Sequence, residues 1–171
     1  MQADAMTLYK LIILYILDKV DFPMTNAQIS NFILEKEYTS YFNIQQAFNA
    51  LSDAELIHMD TIRNSSYFKL TKAGHETIGF FRTDISQTIR DEIDHYLIDN
   101  QYELRQEVST LSDYYQTKPG EYIAHCLVKE RESTIIELNL NVTSEQEAEA
   151  VCNQWKEASQ EIYQFVMSKL M

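Results

Sequence analysis

The fold of this chain is decided by residues 38–71, which read YTSYFNIQQAFNALSDAELIHMDTIRNSSYFKLT. In the first part of this stretch the apolar side chains are three and four residues apart, as they are on the buried face of a helix. They are Ile44, Ala47, Phe48 and Leu51. The hydroxyl of Ser40, just before them, can accept a hydrogen bond from the free N–H groups of a first helical turn. The pattern therefore predicts a helix that begins after Ser40 and ends near Ser52-Asp53.

Two short extended runs follow this helix. They are residues 56–62 and 67–70, and the polar turn Arg63-Asn64-Ser65-Ser66 separates them. β-Branched and aromatic residues around a polar turn are typical of a hairpin. A helix followed by a strand, a tight turn and a second strand is the arrangement of a recognition helix with its wing.

Three segments of this stretch resemble known families. Residues 53–57 (DAELI) and 67–74 (YFKLTKAG) resemble the segments where winged-helix repressors of the MarR and PadR kinds enter and leave the wing. Residues 41–47 (YFNIQQA) also resemble a smaller bacterial family that is known only as a domain of unknown function and is presumed to regulate transcription. The repressor resemblance covers about the first 80 residues, and the second would cover the whole chain. The resemblance implies a dimeric, DNA-binding transcriptional regulator.

Two further helices are expected before this stretch. Residues 5–20 are apolar on almost every side, which indicates a helix buried from several directions. Thr25-Asn26-Ala27-Gln28 is a capping box that begins a second helix, and residues 36–39 form the turn into the third. With the wing, these helices predict a helix-turn-helix variant whose third helix would enter the major groove.

The third helix and the wing contain the candidate DNA contacts. Gln and Asn side chains on the outward face could bind adenine through both atoms of the amide group. Arg63, at the wing tip, is the best candidate for a phosphate or minor-groove contact. Ordinary solvated side chains are the alternative interpretation. The candidate residues are Lys36, Ser40, Tyr41, Gln45, Gln46, Asn49, Arg63, Asn64 and Lys69.

The charge of the chain opposes free affinity for nucleic acid. The net charge is −12, of which residues 1–75 contribute −2 and residues 76–171 contribute −10. No Lys or Arg lies between Thr39 and Arg63, although neutralisation of phosphates supplies most of the non-specific affinity for DNA. A protein partner, bound by the uncharged third helix or by the acidic C-terminal region, is therefore the alternative function.

The region after the wing is expected to begin with two helices. Thr71 can cap a fourth helix, and its Ile78, Phe80 and Phe81 would pack into the core. A long helix from Ile85 has apolar residues mostly three and four apart, which suits packing of one helix on another. Its stripe is the predicted dimer interface, and packing against its own chain is an alternative that does not exclude the dimer. The interface residues would be Ile85, Ile89, Ile93, Leu97, Leu104 and Val108.

A small sheet and a last helix complete the predicted fold. Residues 121–129 and 135–142 alternate between apolar and polar side chains, residues 111–116 could form another strand, and turns are expected at 118–120 and 130–133. Ser144 begins a helix whose apolar stripe, from Ala148 to Val166, should lie across the sheet. The predicted fold class is α+β. The head is a winged helix-turn-helix in residues 1–80, and the body is a long helix, an antiparallel meander and a C-terminal helix in residues 81–171.

No pattern in the sequence is typical of an enzyme or a metal site. The four histidines lack the spacing of metal ligands, and Cys126 and Cys152 fall on apolar positions that predict buried, reduced thiols. Four aromatic residues could line a small pocket in the body, although plain core or a dimer interface is the alternative: Tyr114, Tyr115, Tyr122 and Trp155. We therefore expect no catalysis, metal or cofactor.

The apolar run Leu11–Leu17 is too short to span a membrane and lacks the flanking residues of a signal peptide. We expect a cytoplasmic protein without a membrane partner. Its expected partners are double-stranded DNA, a second copy of the chain, or another protein.

Overall fold

The computed structural model describes residues 4–131 and 133–171. Residues 1–3, where the predicted head begins, and Glu132, in the predicted turn at 130–133, lie outside the described residues. The described part is mixed α+β, with two three-stranded antiparallel sheets of strand order β1-β3-β2 and β4-β5-β6. The helices are α1 (Ala5–Asp18), α2 (Asn26–Glu35), α3 (Tyr41–Asp53), α4 (Lys72–Phe81), α5 (Gln87–Ser109) and α6 (Glu145–Leu170), with a 3₁₀ turn at Arg82–Asp84. The strands are β1 (Met24–Thr25), β2 (Ile57–Ile62), β3 (Ser65–Leu70), β4 (Thr110–Lys118), β5 (Glu121–Glu130) and β6 (Ser133–Val142).

The chain forms two compact units. The first ends at Arg105 and leaves out Ile62–Asn64, whereas the second comprises Ile62–Asn64 and Gln106–Met171. The division therefore lies within α5, later than the boundary at residues 80 and 81 that the sequence predicts. The physical reason is that the apolar side chains of α5 as far as Leu104 belong to the hydrophobic core of the first unit.

The core of the first unit is built around α1. Every residue from Leu11 to Leu17 is buried, as the apolar character of this helix predicts. The inward faces of α2 and α3 pack with it, and the rings of Phe48 and Phe68 stack with their centroids 4.5 Å apart. The α3 residues expected to face inward are all buried: Ile44, Ala47, Phe48 and Leu51.

The N-caps of α2, α3 and α4 are confirmed. Thr25 and Gln28 form a reciprocal capping box. The Ser40 hydroxyl accepts a hydrogen bond from the Asn43 N–H at 3.3 Å, and the Thr71 hydroxyl accepts one from the Gly74 N–H at 3.0 Å. Each cap joins residues three positions apart, so it depends only on local sequence.

The hairpin turn is tighter than the predicted one. Only Arg63 and Asn64 form the turn, with φ angles of 47° and 66°, and Ser65 and Ser66 already belong to β3. Positive φ angles at both central residues favour a two-residue turn, because its twist matches that of the two strands. The two-residue strand β1, which pairs Met24 with Phe68, was not expected because it is too short to show an alternating pattern.

The end of α4 differs from the prediction. Ile78 is fully buried, but Phe80 and Phe81 are 82% and 49% exposed, so the expectation that both pack into the core is wrong. The helix continues to Phe81. The phenylalanines lie two and three residues after Ile78, and at about 100° per residue Phe80 in particular points away from the core.

The apolar stripe predicted as a dimer interface is already covered by its own chain. Ile89 is half-buried and the other five members of the stripe are buried. Packing against the same chain, the alternative interpretation, therefore accounts for the stripe, and little of it is left for a partner. The buried members are Ile85, Ile93, Leu97, Leu104 and Val108.

The second unit is an antiparallel meander packed by α6. Ala124 on β5 pairs with Tyr114 on one side and with Leu140 on the other. The indole Nε1 of Trp155 donates a hydrogen bond to the Leu127 carbonyl oxygen at 3.1 Å. Leu140 on the edge strand β6 is 42% exposed, because α6 packs mainly on β4 and β5.

Both cysteines are buried and unoxidised, as their apolar positions predict. The described helices include none that is long and apolar enough to cross a membrane.

Candidate nucleic-acid interface

The surface of α3 that points away from the core is uncharged and partly aromatic over its first three turns. Gln46 and Asn49 are exposed there, together with Phe42, at positions four and three residues apart that share one helical face. The side chains of Tyr41 and Phe42 are 57% and 68% exposed. We name Tyr41, Phe42, Gln46 and Asn49 the α3 outer face.

Phe42 was not among the sequence-predicted site residues. The signal was nevertheless present, because Phe42 lies off the Ile44–Leu51 stripe and four residues before Gln46. An aromatic side chain in that position on a helix must face outward. Its exposure adds an apolar group at the N-terminal end of the surface.

Gln45, by contrast, does not point outward. Its carboxamide is half-buried and exchanges two hydrogen bonds with the carboxamide of Asn26 on α2, at 2.8 and 3.0 Å. Its Nε2 also lies 3.4 Å from the hydroxyl oxygen of the buried Ser30. The expectation that Gln45 faces solvent is therefore corrected. The inward stripe of α3 is wide enough to bring Gln45 against α2, where it joins the two helices.

Ser40 lies at the exposed N-terminus of α3, where its hydroxyl caps the helix. This leaves the hydroxyl hydrogen able to donate to an acceptor such as a phosphate oxygen. The neighbouring Asn43 is held locally, because its Nδ2 donates to the Thr39 hydroxyl at 2.9 Å. The start of α3 is thus ordered by its own side chains.

Arg63 is not free at the tip of the hairpin. Its side chain is half-buried, and its guanidinium carbon lies 5.8 Å from the centroid of the Tyr114 ring within the second unit. The Tyr114 hydroxyl donates a hydrogen bond to Glu145 Oε1 at 3.2 Å. Desolvation, together with this hydrogen bond, raises the pKa of Tyr114. A phosphate contact by Arg63 would have to replace this cation–π contact. Asn64, the other turn residue, is exposed.

Exposed acids outnumber exposed cations around α3. Lys36 at the end of α2 and Lys69 on β3 are exposed, and so are four acidic residues. Two of these acids, Glu37 and Glu55, follow the C-termini of α2 and α3 in left-handed conformation, where they end the helices in place of glycine. The local field is therefore not strongly attractive to phosphate. The acids are Glu35, Glu37, Asp53 and Glu55.

A polar groove of about 440 Å³ lies beside α2 and α5 in the first unit. Near it the Tyr38 hydroxyl donates to the Glu92 carboxylate, and burial raises the pKa of this tyrosine. The described residues contain no group of three or more His, Cys, Asp or Glu side chains that could hold a metal ion. The lining residues are Glu35, Lys36, Thr88, Asp91, Glu92, His95, Tyr96, Asp99 and Asn100.

The four aromatic residues that could have lined a pocket in the body do not all share one wall. Tyr114 and Tyr115 are consecutive in β4, so their side chains point to opposite faces of the sheet. Tyr115 is 51% exposed, whereas Trp155 is 4% exposed in the core beneath α6. Plain core therefore accounts for Trp155, as the alternative interpretation expects.

The fold and this surface define a small mixed α+β protein in which the outer face of α3 is exposed and uncharged over three helical turns. Residues 9–170 match a family described as a domain of unknown function, DUF4364, and the chain belongs to that family. No curated protein and no solved structure matches the chain.

Proposed function

We propose that this protein is a winged-helix regulator of transcription that binds double-stranded DNA through α3. The order of elements in the first unit, α1-β1-α2-α3-β2-β3, supports the proposal, as does the hydrogen bonding of β1 to the hairpin. The observation that carries it is the α3 outer face. A capped helix with exposed Gln and Asn side chains, followed directly by a two-residue hairpin, is suited to insertion in the major groove.

In this proposal Gln46 and Asn49 read bases. Each amide can donate to adenine N7 and accept from its N6 amino group. Tyr41 and Phe42 would contact thymine methyl groups or sugars at the N-terminal end of the helix. Gln45 does not read bases but holds α3 against α2, and Lys36 and the Ser40 hydroxyl would contact phosphates.

The affinity is expected to be low and sensitive to salt. The net charge is −12, and few cations surround α3. About two or three phosphate contacts per copy correspond to a slope of log Kd against log salt concentration of roughly 2 to 3 for each copy bound. A second copy would raise the affinity by binding a second half-site.

The test is titration of the full-length protein into a fluorescent random duplex over a salt series. We expect binding at low salt that Lys36→Glu weakens by roughly a factor of ten. Lys156→Glu, the same change of charge at an exposed position on α6, is the matched control and should have a smaller effect. Absence of binding at the lowest salt concentration would refute the proposal.

The reading of DNA sequence by α3 is tested with a double variant. From a selected duplex library, Gln46→Ala combined with Asn49→Ala should lose the preference at the bases contacted while retaining non-specific binding. If this double variant keeps the same base preference, α3 is not the helix that reads the bases, even if the protein binds DNA.

A protein partner for the α3 outer face is the second candidate function. The specific observation in its favour is that Tyr41 and Phe42 are both exposed on a surface without a cation, which suits apolar contact better than phosphate contact. In that case no duplex binds, and Phe42→Ser reduces binding to the partner. Phe80→Ser, at an exposed aromatic residue on α4, is the matched control and should leave partner binding unchanged.

A further inference from the structure

The C-terminal half of α6 has apolar side chains that the described residues leave partly or largely uncovered. The buried side chains of α6 are Ala148, Cys152, Trp155 and Ser159, and none follows Ser159. Beyond this point Phe165 is 62% exposed and Leu170 is 78% exposed. The helix has 26 residues and is therefore roughly 39 Å long, and its buried side chains all lie in the half that begins at Glu145 and ends near Ser159.

Charged residues flank this surface symmetrically. Glu161, Phe165 and Lys169 are four residues apart, so they share one face of the helix, and all three are exposed. The Lys169 Nζ lies 5.6 Å from the centroid of the Phe165 ring, which places the ammonium group beside the aromatic ring. Ile162 and Val166 are half-buried at the edge of this face. We name these five residues the α6 tail face.

We infer that a second copy of this chain docks on the α6 tail face, with the two helices antiparallel and the twofold axis at Phe165. Position 161 of one copy then lies opposite position 169 of the other, because each is four residues from the axis. Two Glu161–Lys169 pairs flank a central contact between the phenylalanine rings. A parallel arrangement would instead place like charges opposite each other.

This self-complementarity identifies the occupant as a second copy. An isologous interface requires each patch to match itself, and a single helix face with an acid, an aromatic ring and a base at equal intervals meets this requirement. Two helix halves bury less than the roughly 1,200 Å² typical of stable complexes. The dimer is therefore weak and dissociates on dilution.

The first test is sedimentation equilibrium of the full chain without DNA, from low micromolar to submillimolar protein. We expect a reversible monomer–dimer equilibrium that Phe165→Asp abolishes over the whole range. This residue is exposed, so the variant should retain the near-ultraviolet circular dichroism and the Trp155 emission of the native protein. A monomeric mass at every concentration, or a dimer unaffected by Phe165→Asp, overturns the inference.

The second test is charge reversal, which reports the direction of the helices. Glu161→Lys and Lys169→Glu should each raise the Kd of the dimer roughly threefold to tenfold, because each places two like-charged pairs in the interface. The double variant restores both pairs and should return the Kd to within about twofold of the original. A double variant no better than the single ones overturns the antiparallel register.

Matched controls separate this local effect from net charge. Glu149→Lys and Lys156→Glu make the same changes of charge at exposed positions on the opposite side of α6. Both should leave the Kd nearly unchanged. The measurement contains no DNA, so the inference can fail while the proposed DNA binding stands, and the reverse also holds.

Discussion

The carboxamides of Asn26 on α2 and Gln45 on α3 each donate a hydrogen bond to the other. The hydroxyl of the buried Ser30 donates to Asn26 Oδ1 at 2.8 Å and extends this network into the core. The pair therefore joins α2 to α3 through polar side chains. Gln45 is therefore a contact between helices, whereas Gln46, one residue later, is exposed and belongs to the surface proposed to read bases.

Gln45→Ala should lower the free energy of unfolding by roughly 1–3 kcal/mol, because it removes hydrogen bonds to Asn26 in a half-buried site. Gln46→Ala is the matched control, and a surface change of this kind should stay within about 0.5 kcal/mol. Urea unfolding followed by circular dichroism measures both values. Equal stability of the two variants would contradict a structural role for Gln45.

Gly74→Ala and Gly79→Ala should have opposite effects, although both glycines lie in α4. A Cβ at Gly74 would be 2.0 Å from the backbone carbonyl oxygen of Leu56, whereas one at Gly79 meets nothing within 4 Å. We expect Gly74→Ala to lower stability by roughly 2–4 kcal/mol, because backbone has to move. Gly79→Ala should raise it by roughly 0.5–1 kcal/mol through helix propensity. Thermal unfolding would show this as shifts of the Tm in opposite directions.

Trp155→Phe should destabilise the second unit. The change leaves the Leu127 carbonyl oxygen without the indole donor in a buried site, which costs about 1–3 kcal/mol. Tyr115→Phe removes a polar group from an exposed aromatic residue and is the control. Denaturant unfolding followed by far-ultraviolet circular dichroism compares them. An unchanged midpoint for Trp155→Phe would mean that this hydrogen bond contributes nothing measurable.

The two thiols should be unreactive in the folded protein. Burial raises the pKa of Cys126 to about 11, with a smaller effect from Cys152, and burial is also the main cause of the raised pKa of Cys152. A chromogenic disulfide reagent at neutral pH should therefore label both cysteines only after unfolding. Rapid labelling of native protein would contradict their burial.

The raised pKa of Cys126 also predicts how the stability of the protein depends on pH. The thiol of Cys126 ionises more readily in the unfolded chain, so stability should fall as the pH rises from 9.0 to about 11. Replacing both cysteines by alanine should make this fall less steep. Denaturant midpoints measured across the same pH range test this, and an identical slope in the double variant would exclude the thiols as the cause.

Much of the secondary structure follows from local sequence. The caps at Thr25, Ser40 and Thr71 each satisfy an N–H three residues away, and the face of α3 that contains Ile44 repeats with the helical period. Interactions of this range can be read from neighbouring residues. The same holds for the alternation along β5, whose inward residues Ala124 and Cys126 are buried.

The partners of these elements depend on tertiary structure. An apolar stripe on a helix shows that its side chains will be buried, but it does not show which segment buries them. The stripe therefore predicts a dimer interface at Ile93 and Leu97, although their own chain buries them. For the same reason the α6 stripe predicted to lie on the sheet extends to Phe165, where the described chain no longer covers it.

By itself, then, the sequence determined the elements of this protein: capped helices, a hairpin and a meander, because propensity, periodicity and capping act over a few residues. Only the tertiary structure decided that Gln45 binds Asn26, that Arg63 contacts the Tyr114 ring and that Phe165 is exposed. Each of these depends on where chain segments distant in sequence meet. The packing energy between two such segments depends on both of them, so the local sequence of either one does not determine it.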